Sequence, residues 1–213
     1  APGMSGTVRA FVRPPPQRQL EFEIARSMVA PDAFSGRHAW IVGGSRGLGE
    51  VAAKLLAAGG AAVTITYHRG ADDAERILAE IRRGGGEAEV LALDVLDLPK
   101  SIVPPEQQAN ALTDLLYFAT PRISLGERGC FSSKMFQDFC GYYVYGFAAL
   151  VNALAPHGLQ RVLYPSSVYA EDPPDNLAEY GAAKAAGEVV CSALEKGLPG
   201  VTINKPRLPR MAT

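Results

Sequence analysis

The chain has 213 residues, of which 47% are hydrophobic and 20% are charged, and its formal net charge is −1. This composition is typical of a globular protein, and the length allows one domain with a sizeable core and room for an appendage. The small net charge argues against nucleic acid as a partner, because binding phosphates requires a basic surface. No apolar run approaches the roughly 18 residues that a membrane span requires, and the N-terminus carries no signal-peptide pattern.

The cysteines are few, widely spaced and odd in number, which favours reduced thiols in a cytoplasmic protein over a disulfide framework. They are Cys130, Cys140 and Cys191. The three histidines lie far apart, and no Cys/His spacing is typical of zinc. The sequence therefore predicts no metal site.

The first 37 residues are interpreted as an N-terminal appendage or linker, and residues 38–213 as the main domain. Residues 6–13 alternate like a strand, and the three prolines at 14–16 indicate a stiff linker. Residues 20–24 also alternate, yet Leu20, Ile24 and Met28 fit a helix equally well. The appendage is the last strand and tether of a preceding domain, a flexible tail, or an arm that packs on a partner subunit.

A glycine-rich turn separates the first predicted strand of the main domain from the first predicted helix. Residues 39–42 form a short apolar run, and residues 48–58 have apolar side chains at helical spacing. Glycines in such a turn let the backbone approach a pyrophosphate, which binds to the free N–H groups at the helix N-terminus. The predicted cofactor contacts are Gly43, Ser45, Arg46, Gly47, Leu48 and Gly49.

Strand and helix patterns alternate through the rest of the chain. Further strands are predicted at residues 63–67, 90–93, 115–119, 161–164 and 201–204, and helices at 72–83, 131–155 and 180–196. This alternation predicts an α/β fold with a doubly wound parallel sheet and right-handed crossovers.

A Tyr-x-x-x-Lys sequence at Tyr180 and Lys184 lies at the start of the last predicted helix, thirteen residues after Ser167. Residues four apart share one face of a helix, so both side chains are expected to point into one site. A nearby ammonium lowers the pKa of a phenol, and Ser167 could hydrogen-bond a carbonyl or alcohol oxygen. By itself such a pair is also common on solvated helix faces.

Together, the glycine loop and the Ser…Tyr-x-x-x-Lys pattern resemble the short-chain dehydrogenase/reductase family over about residues 38–213. The resemblance implies a Rossmann fold, a nicotinamide cofactor and reversible carbonyl reduction or alcohol oxidation of a small molecule. It also implies that Tyr180 is the general acid/base, that Lys184 lowers its pKa and binds the ribose, and that Ser167 holds the substrate oxygen.

The cofactor is predicted to be NADP(H). In this fold an acidic residue after strand two holds the ribose hydroxyls of NAD, whereas arginine accepts the extra phosphate of NADP. Here Arg69 stands there and Arg46 lies in the glycine loop, although both could be solvated surface charges. Asp94 and Val95 resemble the Asp-Val pair that contacts adenine in the family, but Asp94 could instead cap a turn.

Other segments depart from the common family pattern, which indicates an atypical member. After strand four, where typical members have Asn-Asn-Ala-Gly, this chain has Tyr117-Phe118-Ala119-Thr120, so the two side-chain amides are absent. Ala119 and Thr120 are the expected contacts to the cofactor. The helical Asn that organises a proton-relay water in many members falls near Tyr145. A phenol cannot reproduce the donor and acceptor geometry of an amide.

The sequence stops at Thr213, before the substrate-binding helices of typical members, so a C-terminally incomplete Rossmann fold is expected. Arg207 and Arg210 follow the two prolines where the family has a Pro-Gly segment. The chain is then part of a longer polypeptide, such as a larger acyl-processing protein, or it is completed by another chain as a homo-oligomer. A third alternative is that it is not a competent reductase.

The leading functional hypothesis is an NADP-dependent carbonyl reductase or alcohol dehydrogenase, with an acyl-thioester-type ketone as one candidate substrate. One alternative is a nucleotide-sugar epimerase or dehydratase of the extended type, which also uses Ser, Tyr and Lys. Another is a catalytically impaired nucleotide-binding scaffold. The aromatic residues within 131–147 fit either core packing, a substrate wall or a helix that pairs across subunits.

Overall fold

The computed structural model describes residues 17–98 and 112–209. The strand predicted at residues 6–13, the proline linker at 14–16 and the last residues from Arg210 to Thr213 lie outside the described residues.

Six parallel strands form the central sheet, in the order β3-β2-β1-β4-β5-β7. They are β1 (His38–Val42), β2 (Ala62–Tyr67), β3 (Ala88–Ala92), β4 (Asp114–Tyr117), β5 (Arg161–Leu163) and β7 (Thr202–Asn204). Because the order reverses between β1 and β4, a crevice opens at the carboxyl ends of these strands, where ligands bind in such sheets. The predicted Rossmann-type, doubly wound parallel fold is confirmed.

Helices cover both faces of the sheet. They are α1 (Phe22–Met28), α2 (Gly47–Ala58), α3 (Ala71–Arg83), α4 (Ser133–Cys140), α5 (Phe147–Leu154) and α6 (Ala178–Gly197). A π-helical turn, Gly141–Gly146, joins α4 to α5 and interrupts the single helix predicted over residues 131–155. Among the described residues, no helix has both the length and the apolar character needed to cross a membrane.

Strand β1 is buried along its whole length and contributes side chains to two hydrophobic cores, one on each face of the sheet. Successive side chains of a strand point to opposite faces. Trp40 and Val42 therefore pack in the core beneath α4, α5 and α6, whereas Ala39 and Ile41 pack in the core beneath α2 and α3. This explains why the sequence shows a continuous apolar run here rather than alternation.

The segment before β1 is packed onto the main body. Residues 22–28 form helix α1, and Phe22 is only 3% exposed in the core beneath α2 and α3. The Lys54 ammonium donates to the Leu20 carbonyl over 2.9 Å, and a Glu80 carboxylate oxygen accepts the Phe22 N–H over 2.7 Å. The helical alternative for this segment is the one observed, and a domain boundary at residue 37 stays a prediction.

A second, two-stranded parallel sheet lies beyond β5. Its strands are β6 (Ser166–Ser167) and β8 (Arg207–Leu208), which pair Ser166 with Arg207 and Ser167 with Leu208. This pairing holds Ser167 between the end of β5 and the start of α6.

Candidate active site

The glycine loop connects β1 to α2 at the crevice between β1 and β4. Gly43 and Gly47 have φ angles of 77° and 54°, a left-handed conformation that favours glycine. A Cβ atom at Gly43 would lie 3.0 Å from the backbone nitrogen of Ala119, so the loop touches the segment after β4. The loop thus brings the predicted contacts at residues 43–49 beside those at 119–120.

The N-terminus of α2 is suited to an anion. Its first residue is Gly47, and Arg46 before it has an extended backbone and provides no side-chain cap. The N–H groups of the first turn are therefore left without a side-chain acceptor, and they carry the positive end of the helix dipole. These residues fit the pyrophosphate of a dinucleotide.

The two arginines predicted to select NADP lie in different environments. The Arg46 Nε donates to Asp73 Oδ2 over 2.6 Å, and both side chains are partly exposed. Arg69, two residues after β2, is exposed. A Cβ atom at Gly70 would lie 2.8 Å from Ser45 Oγ and 3.6 Å from Arg46 Nε, so the segment after β2 approaches the glycine loop closely at this glycine. The sequence interpretation missed Asp73, although an acidic residue in the first turn of a helix was a visible signal.

Asp94 caps a turn, as one of its two interpretations proposed. Its Oδ1 accepts the Leu96 N–H over 3.0 Å, and its Oδ2 lies 3.4 Å from His68 Nδ1. The Val95 side chain is buried, and a Cβ atom at Gly146 would lie 2.6 Å from the Val95 carbonyl oxygen. The Asp-Val pair thus sits against the helical segment that follows α4. Contact of this pair with adenine stays a prediction.

The three predicted catalytic side chains are buried around one site. Ser167 of β6, Tyr180 and Lys184 of α6 are 5%, 9% and 8% exposed. The Ser167 Oγ accepts the Tyr169 N–H over 3.2 Å. Burial raises the pKa of Tyr180, while its hydrogen-bonding interaction with Ser167 opposes that rise. Burial therefore outweighs the pKa lowering that the sequence interpretation expected for this phenol.

Lys184 lies among aromatic rings. Its Nζ donates to the Pro165 carbonyl over 2.7 Å and lies 4.0 Å from the centre of the Tyr143 ring and 4.9 Å from that of Tyr164. Burial lowers the pKa of Lys184 to about 7, with the neighbouring Cys191 and Glu188 acting in the opposite direction. The role of this ammonium toward Tyr180 and a ribose stays a prediction.

Tyr143, not Tyr145, faces the site from the neighbouring helix. Tyr145 is 68% exposed, whereas Tyr143 is 1% exposed and meets the Tyr180 ring edge to face at 5.7 Å. The Tyr143 hydroxyl hydrogen-bonds Thr120 Oγ1 over 2.6 Å. The π-helical turn widens the helix and changes which residues face α6, so Tyr143 rather than Tyr145 points inward. That the family's helical Asn position falls near Tyr145 stays a prediction.

Two tyrosine hydroxyls bond carbonyls of this π-helical turn. Tyr117, at the end of β4, donates to the Tyr142 carbonyl over 2.8 Å, and Tyr164, after β5, donates to the Tyr143 carbonyl over 3.1 Å. Side chains from two strand ends therefore satisfy carbonyls whose helical hydrogen bonds are altered. Such turns occur frequently at functional sites.

Comparison with known proteins identifies the family. The family model for short chain dehydrogenases matches residues 37–205. The chain belongs to the short chain dehydrogenase family. Family membership and the fold now agree with the resemblance that the glycine loop and the Ser…Tyr-x-x-x-Lys pattern indicated.

Two relatives and one solved structure show the extent of similarity. The short chain dehydrogenase penD of Penicillium thymicola is 30% identical over 177 residues, which are 74% of this chain and 61% of that protein. A probable oxidoreductase of Streptomyces antibioticus is 28% identical over 192 residues, 80% and 63% of the two chains. A Burkholderia cenocepacia short chain dehydrogenase, solved in complex with NADP, has a TM-score of 0.70 at 26% identity, over 81% of this chain and 74% of that one. The chain thus spans about three fifths of these relatives' length.

This short chain dehydrogenase has a loop between β4 and α4 that is attached to the start of α6. Glu179, which is 1% exposed, accepts the Ser132 N–H over 2.6 Å. The Gly126 N–H donates to the Asn176 carbonyl over 2.8 Å. The sequence interpretation missed Glu179, since nothing in its neighbours distinguishes it from a solvated helical glutamate.

Arg207 takes part in an ion cluster beside the site of this short chain dehydrogenase. Its guanidinium donates twice to Glu188, each over 2.9 Å, and also pairs with Glu171. Glu188 in turn accepts the Ser166 hydroxyl over 2.6 Å, and Arg207 holds the pKa of Glu188 below its usual value. An arginine at this position therefore ties β8 to α6 immediately next to Ser167.

Proposed function

We propose that the protein is an NADP-dependent carbonyl reductase or alcohol dehydrogenase. The observation that carries the proposal is the shared buried site of Ser167, Tyr180 and Lys184. Contacts through Tyr143 and the segment at residues 119–120 link it to a glycine loop that suits a pyrophosphate. Membership in a family of oxidoreductases and the relatives' names support the same reaction class.

The buried phenol suits the reductive direction. When bound, NADPH supplies the hydride. The Tyr180 hydroxyl gives its proton to the carbonyl oxygen of the substrate, and the Ser167 hydroxyl donates a hydrogen bond to that oxygen. The raised pKa of Tyr180 keeps the phenol protonated before reaction. Lys184, on the next turn of α6, stabilises the phenolate that forms.

The general-acid role of Tyr180 is tested by Tyr180→Phe in the full-length protein. Oxidation of NADPH is followed with a panel of ketones and quinones. We expect the rate to fall by about a hundredfold or more, while NADPH binding, measured by its fluorescence, stays unchanged. Tyr145→Phe is the matched control, because Tyr145 is 68% exposed, and it should keep the full rate. A Tyr180→Phe enzyme with wild-type turnover contradicts the proposal.

The preference for NADP is proposed to rest on Arg46 and Arg69. Asp73 engages Nε of Arg46, and the remaining N–H groups of that guanidinium suit a phosphate. The solved relative from Burkholderia cenocepacia contains NADP. We expect Arg46→Ala combined with Arg69→Ala to weaken the binding of NADPH about tenfold or more. The same change should weaken the binding of NADH little, and calorimetry measures both affinities. Equal weakening of both cofactors would overturn the phosphate assignment.

We infer that the substrate is a small carbonyl or alcohol compound and that the enzyme is a cytoplasmic homo-oligomer. The three cysteines are unpaired, and two of them are buried, which suits a reducing compartment. Light scattering of the purified protein measures the oligomeric state directly, and a monomeric mass would contradict that part of the inference.

A further inference from the structure

Lys184 is buried, and no carboxylate of the described residues bonds its ammonium. Among the described residues, its Nζ has one hydrogen-bond acceptor, the Pro165 carbonyl at 2.7 Å. Its other close contacts are the ring faces of Tyr143 and Tyr164, whose centres lie 4.0 Å and 4.9 Å away. The negative face of an aromatic ring attracts a cation, most strongly where water is excluded. The rings therefore occupy the place that a counter-ion has around most buried lysines.

Both rings are held in place by other contacts. The Tyr143 hydroxyl bonds Thr120 Oγ1 over 2.6 Å, which ties the ring to the segment after β4. The Tyr164 hydroxyl donates to the Tyr143 carbonyl over 3.1 Å. Phe139 stacks on Tyr143 at 6.1 Å, and Tyr180 meets it edge to face at 5.7 Å. Burial raises the pKa of both tyrosines, so both rings are neutral.

We propose that Tyr143 is a positioning residue for Lys184: its ring face, with that of Tyr164, holds the ammonium in the site. An ammonium has three N–H donors. One of them donates to the Pro165 carbonyl, and the ring faces offer no conventional acceptor atom. Two N–H donors therefore remain for bound ligands and for Tyr180. The inference rests on the proposed function and extends it to a residue that contacts Lys184 rather than the substrate.

Other ionisable groups near Lys184 do not replace the rings. Glu188 lies one turn along α6, but its carboxylate is occupied by Arg207 and Ser166. Cys191 is buried, and burial raises its pKa to about 12, so its thiol is uncharged. Tyr180 is kept neutral in the same way. The described surroundings of Lys184 thus leave the two ring faces as its main electrostatic partners besides Pro165.

The first test measures Lys184 itself by NMR titration of protein labelled with carbon-13 at lysine Cε. Tyr143→Phe keeps the ring face and should leave the Lys184 titration at its wild-type pH. Pentafluorophenylalanine incorporated at the same position keeps the shape and reverses the ring's charge distribution. There the titration should move down by about one pH unit. Tyr143→Leu, which removes the ring, should shift it in the same direction.

A second reading uses the full-length enzyme. Tyr143→Leu should weaken the binding of NADPH several-fold and lower kcat. Tyr143→Phe should keep the NADPH affinity and kcat within about twofold of the wild type. Phe22→Leu, which removes a buried ring from the opposite core, controls for loss of stability and should leave the Lys184 titration unchanged. A Lys184 titration that is the same with tyrosine, phenylalanine and the fluorinated ring overturns the positioning role, whatever the activity. Full turnover by Tyr180→Phe with a ring-dependent Lys184 titration instead overturns only the proposed function.

Discussion

Two buried lysines, Lys54 and Lys184, are held in opposite ways. Lys54 of α2 is 1% exposed, and its Nζ contacts Glu50 at 2.9 Å, Glu80 at 2.8 Å and the Leu20 carbonyl at 2.9 Å. Lys184 of α6 is 8% exposed and bonds only a carbonyl among the described residues, with two ring faces beside it. The ammonium of Lys54 therefore has an acceptor for each of its N–H donors, whereas that of Lys184 has one acceptor among the described residues.

This difference agrees with a structural role for Lys54 and with the role proposed for Lys184. All three donors of Lys54 have acceptors, and Arg76 also binds Glu50 through two hydrogen bonds of 3.0 and 3.1 Å. The resulting cluster joins the segment around α1 to α2 and α3 and leaves no Lys54 donor for a ligand. Lys184 keeps unused donors and a pKa lowered to about 7. Perturbed groups with incomplete pairing tend to occur where chemistry is done.

The largest expected effect follows from Lys54→Met. Removing this ammonium leaves the buried Glu50 and the partly buried Glu80 with less compensation, although Arg76 still pairs with both. Breaking a buried ion pair from one side costs about 3 kcal/mol or more, and we expect a loss of that size in the free energy of unfolding measured with urea. Lys134→Met, which removes an 82% exposed lysine from a surface pair with Asp138, should change it little. Equal effects of the two variants would contradict the structural role of Lys54.

The next effect is a pH dependence that belongs to Lys184. Its pKa falls from an ordinary 10.5 to about 7 on folding, so between these values the unfolded chain binds more protons than the folded one. Stability from this group is then complete above the ordinary pKa and is lost progressively as the pH falls from 10.5 to about 7. Within that window the unfolding free energy should rise by about 1.4 kcal/mol per pH unit from this group alone. Lys184→Met should lack this contribution, as seen by subtracting the two stability profiles.

The comparison also shows what the sequence could and could not indicate. The glycine loop, the alternation of strands and helices and the Tyr180–Lys184 spacing were predictable, because each depends on local periodicity or on residues close in the chain. The surroundings of the two lysines were not, since they are assembled from distant segments. The inward position of Tyr143 and the exposure of Tyr145 could not be predicted, because a π-helical turn breaks the helical period on which such counting relies.

Helix α1 shows a similar limit of periodicity. Its predicted helical face contained Leu20, Ile24 and Met28, yet Ile24 and Met28 are 53% and 63% exposed. The side that packs inward carries Phe22 and Ala25. Apolar spacing was enough to permit a helix, but the space left by Gly84 and Gly86 for the Phe22 ring decides which face is buried.

The smallest expected effect follows from Glu80→Gln, which changes a carboxylate partner of Lys54 and leaves Lys184 untouched. Glu80 pairs with Lys54 and accepts the Phe22 N–H, and its pKa is below its ordinary 4.5 because these hydrogen bonds outweigh burial. Glu80→Gln keeps an oxygen for Phe22 but loses the charge, so a cost of about 1 kcal/mol is expected near neutral pH.

Since the folded pKa is depressed, the stability from Glu80 is present above 4.5 and lost as the pH falls through the lowered value. The difference in unfolding free energy between wild type and Glu80→Gln should therefore shrink in acid, whereas the difference between wild type and Lys184→Met changes only in alkali. If the difference in unfolding free energy between wild type and Glu80→Gln stays constant down to acid pH, the Glu80 carboxylate does not stabilise Lys54.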